Sequence, residues 1–166
     1  SNLVWHAEKL SAKHFGNIQL KSGELRINCD GRLVGAKFVI NMRSITNQDI
    51  ESKQYKAMLV DDLKSSRFFD VEKYPEAIFE LLRSTPLGNN KFNLLGQLNI
   101  KGKLAPVNIP LELKYKDNGK LIAVGECSFD RTKFGLKYGS NSFFDNLGDE
   151  AISDIIRLEF EIELEK

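Results

Sequence analysis

The sequence predicts an all-β domain over residues 1–166: eight antiparallel strands closed into a barrel, with short helical insertions. Three observations predict it. Apolar and polar residues alternate with a period of two in row after row, the mark of strands with one buried face. Between the rows stand residues that tolerate positive φ, the chemistry of short links between antiparallel neighbours. Eight long antiparallel strands would also expose unpaired edges, which closure into a barrel removes and a two-sheet sandwich leaves.

The rows follow in order. A first strand covers residues 4–20, interrupted or bent near Lys13 to Gly16, and residues 24–30 form a second. Phe38, Ile40 and Met42 share one face of a third, and Ala77, Phe79 and Leu81 mark a fourth. The fifth sets Phe92, Leu94, Gly96, Leu98 and Ile100 against Gln97 and Asn99. Val107, Ile109, Leu111, Leu113 and Tyr115 make the sixth row, and Leu121, Ala123, Gly125, Cys127 and Phe129 the seventh. In the eighth, Ile156, Leu158, Phe160, Ile162 and Leu164 face inward while Arg157, Glu159, Glu161 and Glu163 face water. Turns are expected at Ser22-Gly23, Asp30-Gly31, Gly88-Asn89-Asn90, Lys101-Gly102-Lys103 and Asp117-Asn118-Gly119. Two segments break the alternation. Residues 47–66 carry Ile50, Tyr55, Met58, Leu59 and Leu63 at helical spacing, and residues 148–154 carry an Asp149 start with Ala151-Ile152. Both read as helices laid over a barrel rim.

Bulk properties narrow the function. Apolar residues make up 42% and charged residues 28%, an ordinary globular balance. The formal net charge of +1 provides no global field to draw nucleic acid or an acidic membrane surface. No run approaches the roughly 20 apolar residues of a spanning helix. The 2 cysteines, Cys29 and Cys127, lie in strand-like rows and are expected as free, buried thiols rather than a disulfide framework. With no CxxC and no HExxH, and with His6 and His14 set among Lys9 and Lys13, no metal site is expected. A Gly-x-Ser-x-Gly elbow, a phosphate-binding glycine loop and a dinucleotide fingerprint are all absent, and Asp61-Asp62 has no evident substrate. No enzymatic activity and no cofactor are therefore expected.

Inward rows are core in any barrel. An eight-stranded barrel is either filled by its own side chains or holds one small ligand, and alternation alone leaves both open. Gly96 and Gly125 either leave room inside or bend a strand. Phe68-Phe69 and Phe143-Phe144 either line a mouth or pin the insertions down. Asp130-Arg131 reads as a structural clamp at a strand end, although an arginine at a mouth also suits phosphate. Lys101, Lys103, Lys114 and Lys116 read as a solvated face.

Four stretches, in this order, carry a resemblance over nearly the whole chain: Gly35 to Ile45; Leu63-Lys64-Ser65-Ser66-Arg67-Phe68-Phe69-Asp70-Val71 with Tyr74-Pro75-Glu76-Ala77-Ile78-Phe79; Gly96 to Gly102; and Asp130-Arg131-Thr132-Lys133-Phe134-Gly135 with Phe143-Phe144. The chain resembles the YceI-like family of lipocalin-like proteins. The resemblance implies an extended barrel with a long apolar pore for an isoprenoid-type lipid, such as a polyprenyl or quinone tail. It turns Phe38, Ile40, Met42, Phe79, Leu81, Leu94, Leu98, Ile109, Leu111, Leu113, Phe129, Leu158 and Phe160 into an expected pore lining. It places Met58, Phe68, Phe69, Arg131, Phe143 and Phe144 at the expected mouth. It implies a periplasmic or secreted setting and a role in lipid transport; the near-neutral charge argues for no nucleic-acid partner, and a homodimer stays open. Two positions depart from the family pattern: Asp62 stands where a histidine is common, and Asn99 where a threonine is. A filled barrel acting as a protein-interaction or stress-response module is the alternative, and an enzyme whose groups converge only in space is a third.

Overall fold

Alternation becomes a wall. In the strand that runs Lys91–Ile100, Phe92, Leu94, Leu98 and Ile100 are buried while Lys91 and Gln97 are exposed. The computed structural model describes residues 1–165. Its strands are β1 (Asn2–Glu8), β2 (Lys13–Ile27), β3 (Leu33–Asn41), β4 (Glu76–Gly88), β5 (Lys91–Ile100), β6 (Lys103–Tyr115), β7 (Leu121–Asp130) and β8 (Ile155–Leu164). They follow one another around a closed, antiparallel barrel. β1 closes the ring on β8, with Leu3 opposite Phe160 and Trp5 opposite Leu158.

Because consecutive strands run in opposite directions, their connections alternate between the two ends. The β2–β3, β4–β5 and β6–β7 links are tight. Asn28 Oδ1 accepts from the backbone N–H groups of Asp30 and Arg32, and Asn89 and Asn90 both take positive φ. Leu33, Phe92, Leu113 and Leu121 are buried just inside this end. The opposite end carries the β1–β2 and β5–β6 turns and both long connections, residues 42–75 and 131–154. The first holds the helix α1 (Lys53–Lys64), whose N-terminus is capped by Ser52 Oγ accepting from the Tyr55 N–H.

Five local expectations change. The expected first strand is cut at residues 9–12, and Ser22-Gly23 is not a turn but lies within β2. There β2 passes from its β1 partners to its β3 partners, and a register shift between Leu20 and Ser22 absorbs the bend. The helix expected over 47–66 forms only over Lys53–Lys64, because Asn47 and Asp49 instead bond sideways to β2, both reaching Phe15. Residues 148–154 form a single 3-10 turn, Gly148–Glu150, with no side-chain cap. Ile152 then pairs as a β-bridge with Lys9, which commits the following backbone to an extended form. Finally, Cys29 is exposed rather than buried, since β2 ends at Ile27 and Cys29 falls in the Asn28-capped turn.

Candidate functional site

The barrel encloses a cavity of about 190 Å³ to which every strand contributes apolar side chains. Trp5 comes from β1, Ile18 from β2, Phe38 and Ile40 from β3, Ala77 and Phe79 from β4, and Leu94 and Leu98 from β5. Ile109 and Leu111 come from β6, Cys127 and Phe129 from β7, and Leu158 and Phe160 from β8. The long connections add Met42, Ile45, Leu59, Leu63, Phe68, Phe69, Leu136 and Ile152. Among the described residues, the charged and histidine side chains on the wall are Glu8, Lys9, His14 and Arg131, all at the end of the long connections.

Two glycines shape the wall. A Cβ on Gly96 would lie 2.3 Å from the Phe79 ring, and one on Gly125 would lie 2.6 Å from the Phe160 ring. The space these residues leave is therefore taken by aromatic rings rather than by the cavity.

Of the residues expected to line a pore, Phe38, Ile40, Met42, Phe79, Leu94, Leu98, Ile109, Leu111, Phe129, Leu158 and Phe160 border the cavity. Leu81 and Leu113 do not. Leu81 stands at a register shift in β4 and is only half-buried. Leu113 lies beyond Leu111 toward the tightly linked end, where side chains fill the interior. At the expected mouth, Phe68, Phe69 and Arg131 border the cavity, and Phe68 packs edge-on against Tyr138 with centroids 5.4 Å apart. Met58, Phe143 and Phe144 lie outside the lining. Leu59 and Leu63 are one turn apart on the face of α1 turned to the barrel, and Met58, one residue earlier, is rotated off it and 58% exposed. The Phe143 ring lies beneath Lys137 Nζ at 4.5 Å, on the outside of the 131–154 connection.

Sequence reasoning missed Trp5, Ile45, Leu136, Ile152 and His14. Trp5 Nε1 donates to the Thr46 carbonyl at 2.9 Å and ties the wall to the strap that precedes α1. Ile45, Leu136 and Ile152 sit in connections, where no period marks a buried face.

Arg131 is 2% exposed and makes four hydrogen bonds to backbone carbonyls. Nε donates to Ser153 O at 2.9 Å, Nη1 to Leu136 O at 2.5 Å and Tyr138 O at 2.9 Å, and Nη2 to Ile152 O at 3.0 Å. Its charge is balanced by Asp154, 3.9 Å away. Burial draws its pKa down, against the pull of Asp154 and Asp130. The residue clamps the 131–154 connection. Asp154 accepts from Ser140 Oγ and Ser142 Oγ, both at 2.5 Å, and these bonds hold its carboxyl below the usual range.

Across the mouth, His14 Nδ1 lies 2.7 Å from Asp49 Oδ2. Burial pushes the Asp49 carboxyl up, but hydrogen bonds from His14, the Phe15 N–H and Asn47 outweigh it and leave the pKa lowered. Lys9 Nζ pairs with Glu150 Oε2 at 3.2 Å. Inside the wall, burial followed by the Glu126 charge pushes the Cys127 thiol up to about 12. Of the two departures from the family pattern, Asp62 pairs with Arg67 at 3.5 Å on the outer side of the cavity wall. Asn99 sits between the buried Leu98 and Ile100, on the face turned away from the cavity.

An eight-stranded antiparallel barrel is either filled by its own side chains or keeps room for one small ligand, and this one keeps an apolar cavity that reaches its long connections. The chain belongs to the YceI-like domain family, whose family model matches residues 1–164. Among curated proteins no sequence match is found. Solved structures share the fold. BcnA of Burkholderia cenocepacia superposes with a TM-score of 0.77 at 21% identity, covering 99% of this chain and 96% of that one. A YceI protein of Campylobacter jejuni gives 0.65 at 20% identity, covering 90% and 84%. A polyisoprenoid-binding domain from Saccharophagus degradans, implicated in plant cell wall breakdown, gives 0.67 at 12% identity, covering 98% and 91%.

Proposed function

We propose that this protein is a non-catalytic carrier that holds the tail of an isoprenoid-type lipid inside the barrel. The observation that carries the reading is the cavity of about 190 Å³, walled by apolar side chains from all eight strands and polar only at one end. Away from that end the described wall is apolar apart from the Cys127 thiol, which burial pushes up to about 12. It removes an apolar tail from water at roughly 25 cal/mol per Å² before ordering costs are met. The polyisoprenoid-binding domain among the structural neighbours supports the same ligand class. A periplasmic or secreted setting and a role in lipid transport belong to the proposal and rest on family membership. Mass spectrometry of an organic extract of the purified protein tests the core of it: a co-purifying isoprenoid, or uptake of a fluorescent isoprenoid by stripped protein, is the expected result. Protein that takes up neither would overturn the carrier reading and leave a barrel acting through its outer surface.

A further inference from the structure

Exposed apolar side chains gather on the outside of the end that carries the long connections. Leu104 at the start of β6 and Tyr138, Phe143 and Phe144 in the 131–154 connection are each 45% or more exposed. None of them belongs to the core or borders the cavity. Three segments join into one surface around them. Arg67 Cζ lies 4.6 Å from the centroid of the Tyr138 ring, and Lys101 Nζ donates to the Ser66 carbonyl at 2.8 Å. The Lys103 side chain reaches to 3.2 Å from where a Cβ on Gly135 would stand. The surface runs into the cavity mouth, because Phe68, packed against Tyr138, and Leu136, beside Lys137, both line the cavity.

Charge is uneven around this rim. Over residues 62–74, 101–104 and 130–145, Asp62 pairs with Arg67 and Glu72 with Arg43, Asp154 lies beside Arg131, and Asp130 accepts from Thr132. Asp70 and Asp145 then remain against Lys64, Lys73, Lys101, Lys103, Lys133 and Lys137. Among the described residues, none of these lysines has an ion-pair partner. Elsewhere the rim carries no such excess: Lys9 pairs with Glu150, Lys13 with Glu8, and His14 lies against Asp49. The other charges there are Lys53 and Lys56 with Glu51, Asp61 and Asp149.

Aromatic rings set between lysines suit a bilayer interface, where rings sit at head-group level and each basic residue adds attraction to an anionic surface. A protein interface would instead gather its apolar residues into a centre depleted of charge. With a net charge of +1 the whole molecule has little pull at a distance, so the attraction acts within a Debye length of contact. We infer that this sector docks the protein on an anionic lipid bilayer. Phe143, Phe144, Tyr138 and Leu104 enter the head-group layer, the lysines meet lipid phosphates, and the cavity mouth is held beside the membrane. Docking and cargo are separable, since binding a vesicle needs no lipid inside the barrel.

The test is flotation of the full chain with vesicles of phosphatidylcholine, alone or mixed with phosphatidylglycerol. Binding to the mixed vesicles is expected, and it should weaken as salt is raised. Lys133→Gln with Lys137→Gln should lower the partition coefficient on mixed vesicles roughly tenfold, and Phe143→Ser with Phe144→Ser should lower it by a similar factor. All four positions are exposed, so both variants should melt as the wild type does. Lys91→Gln with Lys114→Gln, at the tightly linked end, should bind as the wild type does. No binding of the wild type to mixed vesicles overturns the inference and leaves an acidic protein as the partner of this surface. Undiminished binding by either of the first two variants overturns it as well, and so does an equal loss in Lys91→Gln with Lys114→Gln. Isoprenoid uptake on the same preparations reports the carrier reading separately: no uptake with vesicle binding intact removes the cargo and keeps the docking surface.

Discussion

Gly16 and Thr46 meet backbone to backbone: a Cβ on Gly16 would stand 1.8 Å from the Thr46 carbonyl oxygen. The same carbonyl accepts from Trp5 Nε1, so β1, β2 and the strap that leads to α1 converge on one peptide group. Gly16→Ala cannot be absorbed by a rotamer change, because the clash is with main chain. It should cost about 3–5 kcal/mol in denaturant unfolding. A loss below 1 kcal/mol would show that the strap is free to lift away.

Register along β5 is the second point of test. Leu98 is buried and Gln97 exposed, as the alternation predicts. Leu98→Asp places an unpaired charge against the cavity wall and should cost about 3–5 kcal/mol, whereas Gln97→Asp should stay within about 0.5 kcal/mol. Equal losses in paired thermal melts would mean that β5 is displaced by one residue.

Leu111 is buried, lines the cavity and sits near the middle of β6. If the cavity is the lipid site, Leu111→Trp should fill it and abolish uptake of a fluorescent isoprenoid with little loss of stability. In a filled interior the same change would overpack the core and cost roughly 1–3 kcal/mol. Measuring melting and uptake on the same preparation separates the two outcomes.

The two thiols should react on different terms. Cys29 is exposed, while Cys127 lies in the wall with its thiol pushed up to about 12, so little thiolate exists at neutral pH. A disulfide-exchange reagent should label Cys29 alone in the native protein and both after denaturation. Rapid native labelling of Cys127 would show that the wall opens.

Acid should loosen the 131–154 connection. Hydrogen bonds from Ser140 and Ser142 depress the Asp154 carboxyl, so the folded protein binds fewer protons than the unfolded chain as the pH falls. The stability this confers is complete above the ordinary carboxylate pKa of about 4 and drains away as the pH drops from there through the folded value. Asp154→Asn should be less stable at pH 7 and lose less on acidification. Parallel acid titrations followed by circular dichroism would reveal curves of equal slope if the carboxylate were inconsequential.

How far the fold could be read follows from where periodic patterns exist. Leu94, Leu98, Leu111 and Phe160 announce themselves because a strand repeats its burial every second residue. Ser22-Gly23 misleads because a register shift inside a long strand uses the same small residues as a turn. The mouth is harder. Ile45 and Leu136 are buried in segments with no repeat, and their positions depend on contacts distant in sequence, such as Trp5 to Thr46 and Arg131 to the Ile152 carbonyl. His14 could have been singled out only by knowing that Asp49, 35 residues later, returns to its side.

With tight links and packed side chains at one end and its polar residues at the other, the barrel is a blind sleeve. On the carrier reading, a chain molecule would enter it along a single axis, and two could not pass. If the cavity is the lipid site, replacement is a queue: the occupant leaves before a successor arrives, and the exchange rate is set by that departure rather than by the concentration of the newcomer. Each further methylene drawn inside adds about 0.8 kcal/mol, roughly a fourfold longer stay. Tail length becomes a clock.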